Sequence, residues 1–170
     1  MRLNAARTFE GNAFPRITEA LSKEKRTIGK ISWDITAFGS LKKCAVSHNG
    51  INYKVEGRFA TAGIHINPFY DLHKHFRAGA SLDLNYDESA NISSHVAGTA
   101  SSAIGFFRPS LEEQVSLGLS VRAELVMPIF SVQFGIGHNI IYKGPDLAGL
   151  YQIIALKTHV TKRLYLHTGY

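Results

Sequence analysis

The sequence predicts an all-β fold, an antiparallel up-and-down β-barrel of the transmembrane type with a polar, plugged lumen. Three observations lead there. First, from Gln114 to Leu125 the chain alternates without a break: Val115, Leu117, Leu119, Val121, Ala123 and Leu125 oppose Gln114, Ser116, Gly118, Ser120, Arg122 and Glu124. A period of two places successive side chains on opposite faces, which is a strand. Second, the polar face is rich in Gly, Ser, Gln and Asn, whereas the outer face of a soluble sandwich favours Lys, Glu and Thr. Strands of about ten residues with one apolar and one small-polar face are the pattern of a membrane barrel, apolar toward lipid and polar toward the lumen. Third, several such stretches recur between turn signals. A soluble β-sandwich or small barrel is the alternative reading of the same alternation.

Composition agrees with one β domain. The chain has 170 residues, with 45% hydrophobic and 19% charged residues and 15 Gly against 5 Pro. The charged share lies below the usual quarter of a soluble domain. A mean hydropathy of -0.04 argues against a helical membrane protein. No run of about eighteen apolar residues occurs, so no transmembrane helix is expected. The net charge of +6 is scattered along the chain. It reads either as attraction to an anionic surface, such as nucleic acid or lipopolysaccharide, or as solvated loops and strand ends. Without aromatic RNA-binding motifs or zinc-finger spacing, nucleic acid is a poor fit as partner. Cys44 is the single cysteine and reads as a small structural residue.

Taken in order, residues 1–28 read as a polar, basic leader outside the barrel or running along its mouth, with a turn or two of helix over Thr18–Lys25, and residues 29–170 as the barrel domain. The leader lacks the apolar core of a signal peptide, which an exported barrel requires unless the chain is a processed form. The first strand spans Lys30–Ser40, with Ile31, Trp33, Ile35 and Ala37 opposing Ser32, Asp34 and Thr36. Trp33 suits a membrane interface or an ordinary packed site. Leu41–Glu56 carries the hairpin signal Asn49-Gly50 among Lys42, Lys43, His48 and Lys54, and reads as an exposed loop hairpin.

The second strand spans Gly57–Asn67 and is expected to end at Pro68-Phe69-Tyr70, with Asp71–His75 as a short polar turn. The third, Phe76–Tyr86, sets Phe76, Ala78, Ala80, Leu82, Leu84 and Tyr86 against Arg77, Gly79, Ser81, Asp83 and Asn85. Asp87–Glu113 is a long loop, and barrels carry their long loops on the outer side. After the break at Met127-Pro128, Phe130, Val132, Phe134 and Ile136 oppose Ser131, Gln133, Gly135 and Gly137. Lys143–Asp146 turns the chain into a sixth strand, Leu150–Val160, whose facing is ambiguous because YQIIAL is nearly all apolar. Thr161–Arg163 turns it again, into Leu164–Tyr170.

The count is seven strands. Single-chain bacterial barrels have even numbers, because an unpaired edge cannot face lipid. An eighth strand is then either missing, the favoured expectation, or supplied by residues 41–56.

Catalytic chemistry is sparse. His73 and His75 with Asp71 could touch a metal, but no further ligand has fitting spacing, so they read as surface histidines and no metal or cofactor is expected. No GxSxG occurs. Asp87-Glu88 and Glu112-Glu113 read as rim charges. Arg77, Asp83, Arg122 and Glu124 stand apart, because they share the polar faces of the third and fourth strands. Inside a narrow barrel such charges must pair, which predicts an internal salt-bridge and hydrogen-bond network and a non-conducting lumen.

The run GIGHNIIYKGPDLAGLYQIIALKTHVTKRLYLHTGY from Gly135 to Tyr170 resembles the acyloxyacyl hydrolase/lipid A 3-O-deacylase (PagL-like) group of outer-membrane proteins, in its Bacteroidetes branch. The segments SWDITAFGS, INPFYDLHKHFRAGASLDLNYDESANI and RPSLEEQVSLGLSVRAELVMPIFSV carry the same likeness, so most of residues 30–170 are covered. The resemblance implies an eight-stranded barrel of the bacterial outer membrane. It also implies that outer-membrane lipid or lipopolysaccharide is the partner, and that an acyl chain is removed from lipid A through a Ser-His-Glu type site. That family's His-x-Ser motif follows a Gly-Tyr resembling Gly169-Tyr170, with a closing strand after it. The sequence stops at Tyr170, so no catalytic residue is carried over. His138 and His167 are the nearest substitutes, and His138 points to the apolar side of its strand. The expectations are a barrel resembling a lipid A deacylase, a non-catalytic barrel using its 87–113 loop for surface contacts, or a soluble β-sandwich binding module.

Overall fold

The computed structural model describes residues 28–48, 50–97, 105–161 and 164–169. The expected leader and its short helix therefore lie outside the described residues, as do Asn49, Lys162, Arg163 and Tyr170. In chain order the strands are β1 (Ile31–Lys42), β2 (Ala45–His48), β3 (Ile51–Lys54), β4 (Phe59–His73) and β5 (Phe76–Asp87). They continue with β6 (Val96–Ala97), β7 (Gly105–Phe106), a single helical turn α1 (Leu111–Gln114), β8 (Val115–Val126), β9 (Phe130–Ile141), β10 (Leu150–His159) and β11 (Tyr165–Gly169). Short 3-10 turns cover Ile92–His95 and Pro145–Leu147.

One seven-stranded antiparallel sheet, in the order β1-β4-β5-β8-β9-β10-β11, forms the body. It curls into a nearly closed barrel. Lys157 on β10 reaches Asp34 on β1 at 2.8 Å, and Tyr165 on β11 reaches Thr36 on β1 at 2.6 Å. The two sheet edges are thus joined by side chains across the interior, not by a backbone ladder. There is one curved sheet, not the facing pair of a sandwich. Among the described residues no helix is long and apolar enough to cross a membrane.

The alternation decides the facing everywhere. Asn67, Asp83, Glu124, Ser131, Gln133 and Lys157 are 0% exposed, while Trp33, Ile35, Val121 and Leu150 are each more than 65% exposed. The molecule is polar inside and apolar outside, the reverse of a water-soluble domain. Trp33 belongs to the outer face. The ambiguous strand β10 resolves as Tyr151, Ile153, Ala155 and Lys157 inward and Gln152, Ile154 and Leu156 outward.

Two expectations on the strands are corrected. Pro68 does not end the second long strand, since β4 runs on to His73. On the β1 side Pro68 keeps its place opposite Trp33. On the β5 side the ladder lapses at Asn67 and Pro68 and resumes in the same register at Phe69↔Gly79. A proline removes one donor but does not stop a strand whose other neighbour still pairs. Gly79 completes the arrangement, because an added Cβ there would collide with the Pro68 carbonyl oxygen. Nor do residues 41–56 supply an eighth barrel strand, since Leu41 and Lys42 end β1. The hairpin that follows, β2 with β3, is a separate two-stranded sheet.

The ends of the barrel differ. At one end β4–β5, β8–β9 and β10–β11 are joined by short turns; at the other lie the 43–58, 88–114 and 142–149 connections. These long connections pack on one another. Val46, Val55 and Ile92 form a small apolar core with Cys44, Phe59, Val96 and Phe106 against it. Asn91, in the left-handed conformation at φ 61°, binds three segments together. Its Nδ2 donates to Glu113 O at 2.6 Å and Lys143 O at 2.9 Å, and its amide N donates to Asp146 Oδ2 at 2.9 Å. The described parts of the long loop are therefore folded.

Candidate functional site: the charged interior

The inward residues of neighbouring strands meet by register, so an ionic cluster follows from pairing alone. Arg77 on β5 lies opposite Glu124 on β8, which lies opposite Gln133 on β9. Arg77 Nη2 is 2.9 Å from Glu124 Oε1 and 2.6 Å from Asp34 Oδ2. Lys157 Nζ closes the ring, 2.8 Å from Asp34 Oδ2 and 2.9 Å from Glu124 Oε2. Both cations also sit over the buried Phe69 ring, Arg77 at 4.4 Å and Lys157 at 5.1 Å from its centroid, where the ring face attracts them. We call this the turn-side cluster. Its two cations and two carboxylates balance, as burial requires.

Nearer the loops, the loop-side cluster is centred on one carboxylate. Asp83 receives hydrogen bonds from Arg122 Nη2 and Ser81 Oγ on Oδ1, and from Ser120 Oγ (2.7 Å) and Tyr151 Oη (2.6 Å) on Oδ2. Arg122 Nε donates in turn to Ser120 Oγ at 3.0 Å. Glycines make the room. Tyr151 lies against Gly118 and Gly137, and an added Cβ at Gly118 would come within 2.5 Å of the Tyr151 hydroxyl oxygen. Gly135 likewise lies against the Arg122 side chain, 3.1 Å from where its Cβ would stand.

The residues singled out by sequence therefore fall into two places. Arg77 meets Glu124, and Arg122 meets Asp83. Asp34, Lys157, Tyr151, Ser81 and Ser120 belong with them and were not singled out. Asp34 already stood on the polar face of its strand, which was the available signal. Lys157 was hidden by the apolar run before it.

Histidines and serines yield one close pair among the hydrogen bonds of the described residues: Ser131 Oγ lies 3.1 Å from His159 Nε2. Sequence reasoning did not find it, since the partners lie on different strands. Ser131 is 0% exposed at the turn end, while His159 is half-buried. His167 faces inward, its Nε2 3.3 Å from Gln133 Oε1, and His138 faces outward opposite Leu119 and Leu150. His73 and His75 are exposed with ring centroids 6.0 Å apart, and no group of three metal-binding side chains occurs among the described residues. The expected rim carboxylates are ion-paired on the loop end: Asp87 with Lys42, Glu88 with Arg108, Glu112 with Lys143. Glu113 accepts from the Ser110 amide at 3.1 Å, and this bond holds its carboxyl below the usual range.

An antiparallel barrel with an apolar exterior, an interior filled by paired charges and all its long connections at one end defines the class of protein. The family follows from comparison. The chain belongs to the acyloxyacyl hydrolase family, whose C-terminal domain matches residues 31–170. Neither the curated proteins nor the solved structures contain a match to the chain.

Proposed function

We propose that the chain is the barrel of an outer-membrane acyl-ester hydrolase whose substrate class is lipid A or lipopolysaccharide. The observation that carries the membrane reading is the inverted burial: charged Lys157, Glu124 and Arg122 inside, Trp33, Ile35 and Val121 outside. Family membership supports the reaction class. The interior acts as a scaffold. Two charge-balanced clusters fill it, so the acyl chain lies along the outer wall, and reconstituted protein conducts no ions. Ester hydrolysis in this family type calls for a Ser nucleophile activated by His. We assign neither role to a described residue, because Ser131 is buried.

Incubating the folded protein with lipid A and weighing the products tests the reading. Loss of one hydroxyacyl chain supports it, and unchanged lipid A overturns the hydrolase assignment. The second reading, a non-catalytic barrel, is favoured by the burial of Ser131, the serine of the one close Ser–His pair among the described residues. It predicts unchanged lipid A from a protein that still requires detergent or bilayer. A chain that stays monodisperse without detergent would overturn both.

A further inference from the structure

The cations of the loop end fall into two groups. Three hold a carboxylate: Arg108 with Glu88 at 2.7 Å, Lys143 with Glu112 at 2.9 Å, and Lys42, the last residue of β1, with Asp87 at 2.6 Å. The 43–58 connection carries Lys43, Lys54 and Arg58, all exposed and none ion-paired among the described residues, with Glu56 as the single acidic residue of that connection. Those of the first group have local partners; these have none among the described residues.

Their placement is built. The β2–β3 hairpin buries Val46 and Val55 against Ile92, which fixes which face it turns to solvent. Lys54 lies opposite Ala45 and on the face away from that core, because strand neighbours alternate. Lys43 follows Lys42 at the end of β1, and Arg58 precedes Phe59, the residue paired with Lys42. Directly below, the outer face of β1 presents Ile31, Trp33, Ile35 and Leu41, each at least 60% exposed. Unpaired cations at the top of an apolar stripe match one kind of molecule, an amphiphile with an anionic head and acyl tails.

We propose that Lys43, Lys54 and Arg58 form a docking surface for the net-anionic, phosphate-bearing headgroup of a membrane lipid whose acyl chains lie on the outer face of β1. The proposal rests on the outer-membrane reading and names the side of the barrel where the lipid is held. Each basic side chain at an anionic lipid surface contributes enough that losing all three weakens retention roughly ten- to hundredfold.

Native mass spectrometry of the detergent-solubilised protein, offered phosphatidylglycerol and phosphatidylcholine in equal amounts, tests it. The wild type retains phosphatidylglycerol in at least about tenfold preference. The variant K43Q/K54Q/R58Q loses that preference, while R108Q/K143Q, altered at two ion-paired cations, keeps it. The heat-dependent shift in electrophoretic mobility of a folded barrel checks both variants. If the triple variant does not fold, K54Q alone, on the solvent face of the hairpin, shows a partial loss. No preference in the wild type, a preference surviving in the basic-side variants, or equal loss in R108Q/K143Q overturns the proposal. A wild type that fails to enter bilayers overturns the outer-membrane reading first, which is a separate result.

Discussion

The two interior clusters solve the same problem differently. The turn-side cluster spreads its charges over β1, β5, β8 and β10, so Asp34, Arg77, Glu124 and Lys157 each touch two partners of opposite sign. The loop-side cluster has a single ion pair, Arg122 with Asp83, and surrounds the carboxylate with the hydroxyls of Ser81, Ser120 and Tyr151. The first is cross-linked by charge across the barrel seam. The second is local and solvated by hydroxyls. A network whose members are shared among strands loses more when one member goes, because several charges are stranded at once.

The sharpest way to break that difference is Glu124→Leu. It removes a carboxylate held by both Arg77 and Lys157 and is expected to cost about 3–5 kcal/mol, read by urea unfolding in detergent or vesicles. Asp83→Asn keeps an acceptor for the hydroxyls and should cost less, roughly 1.5–3 kcal/mol by the same measurement. Equal costs would mean the two clusters do not differ in kind. Gly137→Ala sharpens the loop-side account, since a methyl there meets the Tyr151 ring. Overpacking of this sort is expected to cost about 1–3 kcal/mol, and Gly137→Ala with Tyr151→Ala should recover part of it.

Tyr165→Phe tests the seam. It removes the hydroxyl that donates to Ile35 O at 3.1 Å and meets Thr36 Oγ1, and about 1 kcal/mol is expected to go with it. Amide exchange on β1 should quicken.

The smallest effect lies on the loops. The Glu113 carboxyl titrates below its ordinary 4.5 when folded, chiefly because the Ser110 amide donates to it. A carboxyl lowered on folding stabilises above its unfolded pKa, and that contribution is lost as pH falls through the folded value. Exchange of the 110–114 amides should therefore accelerate only below about pH 4.5, and Glu113→Gln should abolish that dependence.

How much of this was legible depends on what the side chain says about its own face. The strand count and the facing of β1, β5, β8 and β9 were readable, because each keeps a strict period of two. The hairpin at 45–54 was readable from its turn. The β10 facing was not, since Ile153, Ile154, Ala155 and Leu156 are all apolar and only Lys157 settles which set faces inward. Pro68 misled, because the rule against strand prolines holds for a residue paired on both sides. The long loop looked formless because Asn91, Val46 and Ile92 stabilise one another only across segments far apart in sequence.

What the sequence determined by itself is the alternation, and with it an apolar surface and a polar interior. Local chemistry is enough for that, since the pleat assigns faces. Which charge meets which was decided by strand register and closure: Arg77 meets Glu124 only because β5 pairs with β8 across the 88–114 connection. Asp34 and Lys157 are 123 residues apart, and they bond at 2.8 Å only because the curl of the sheet brings β10 to β1.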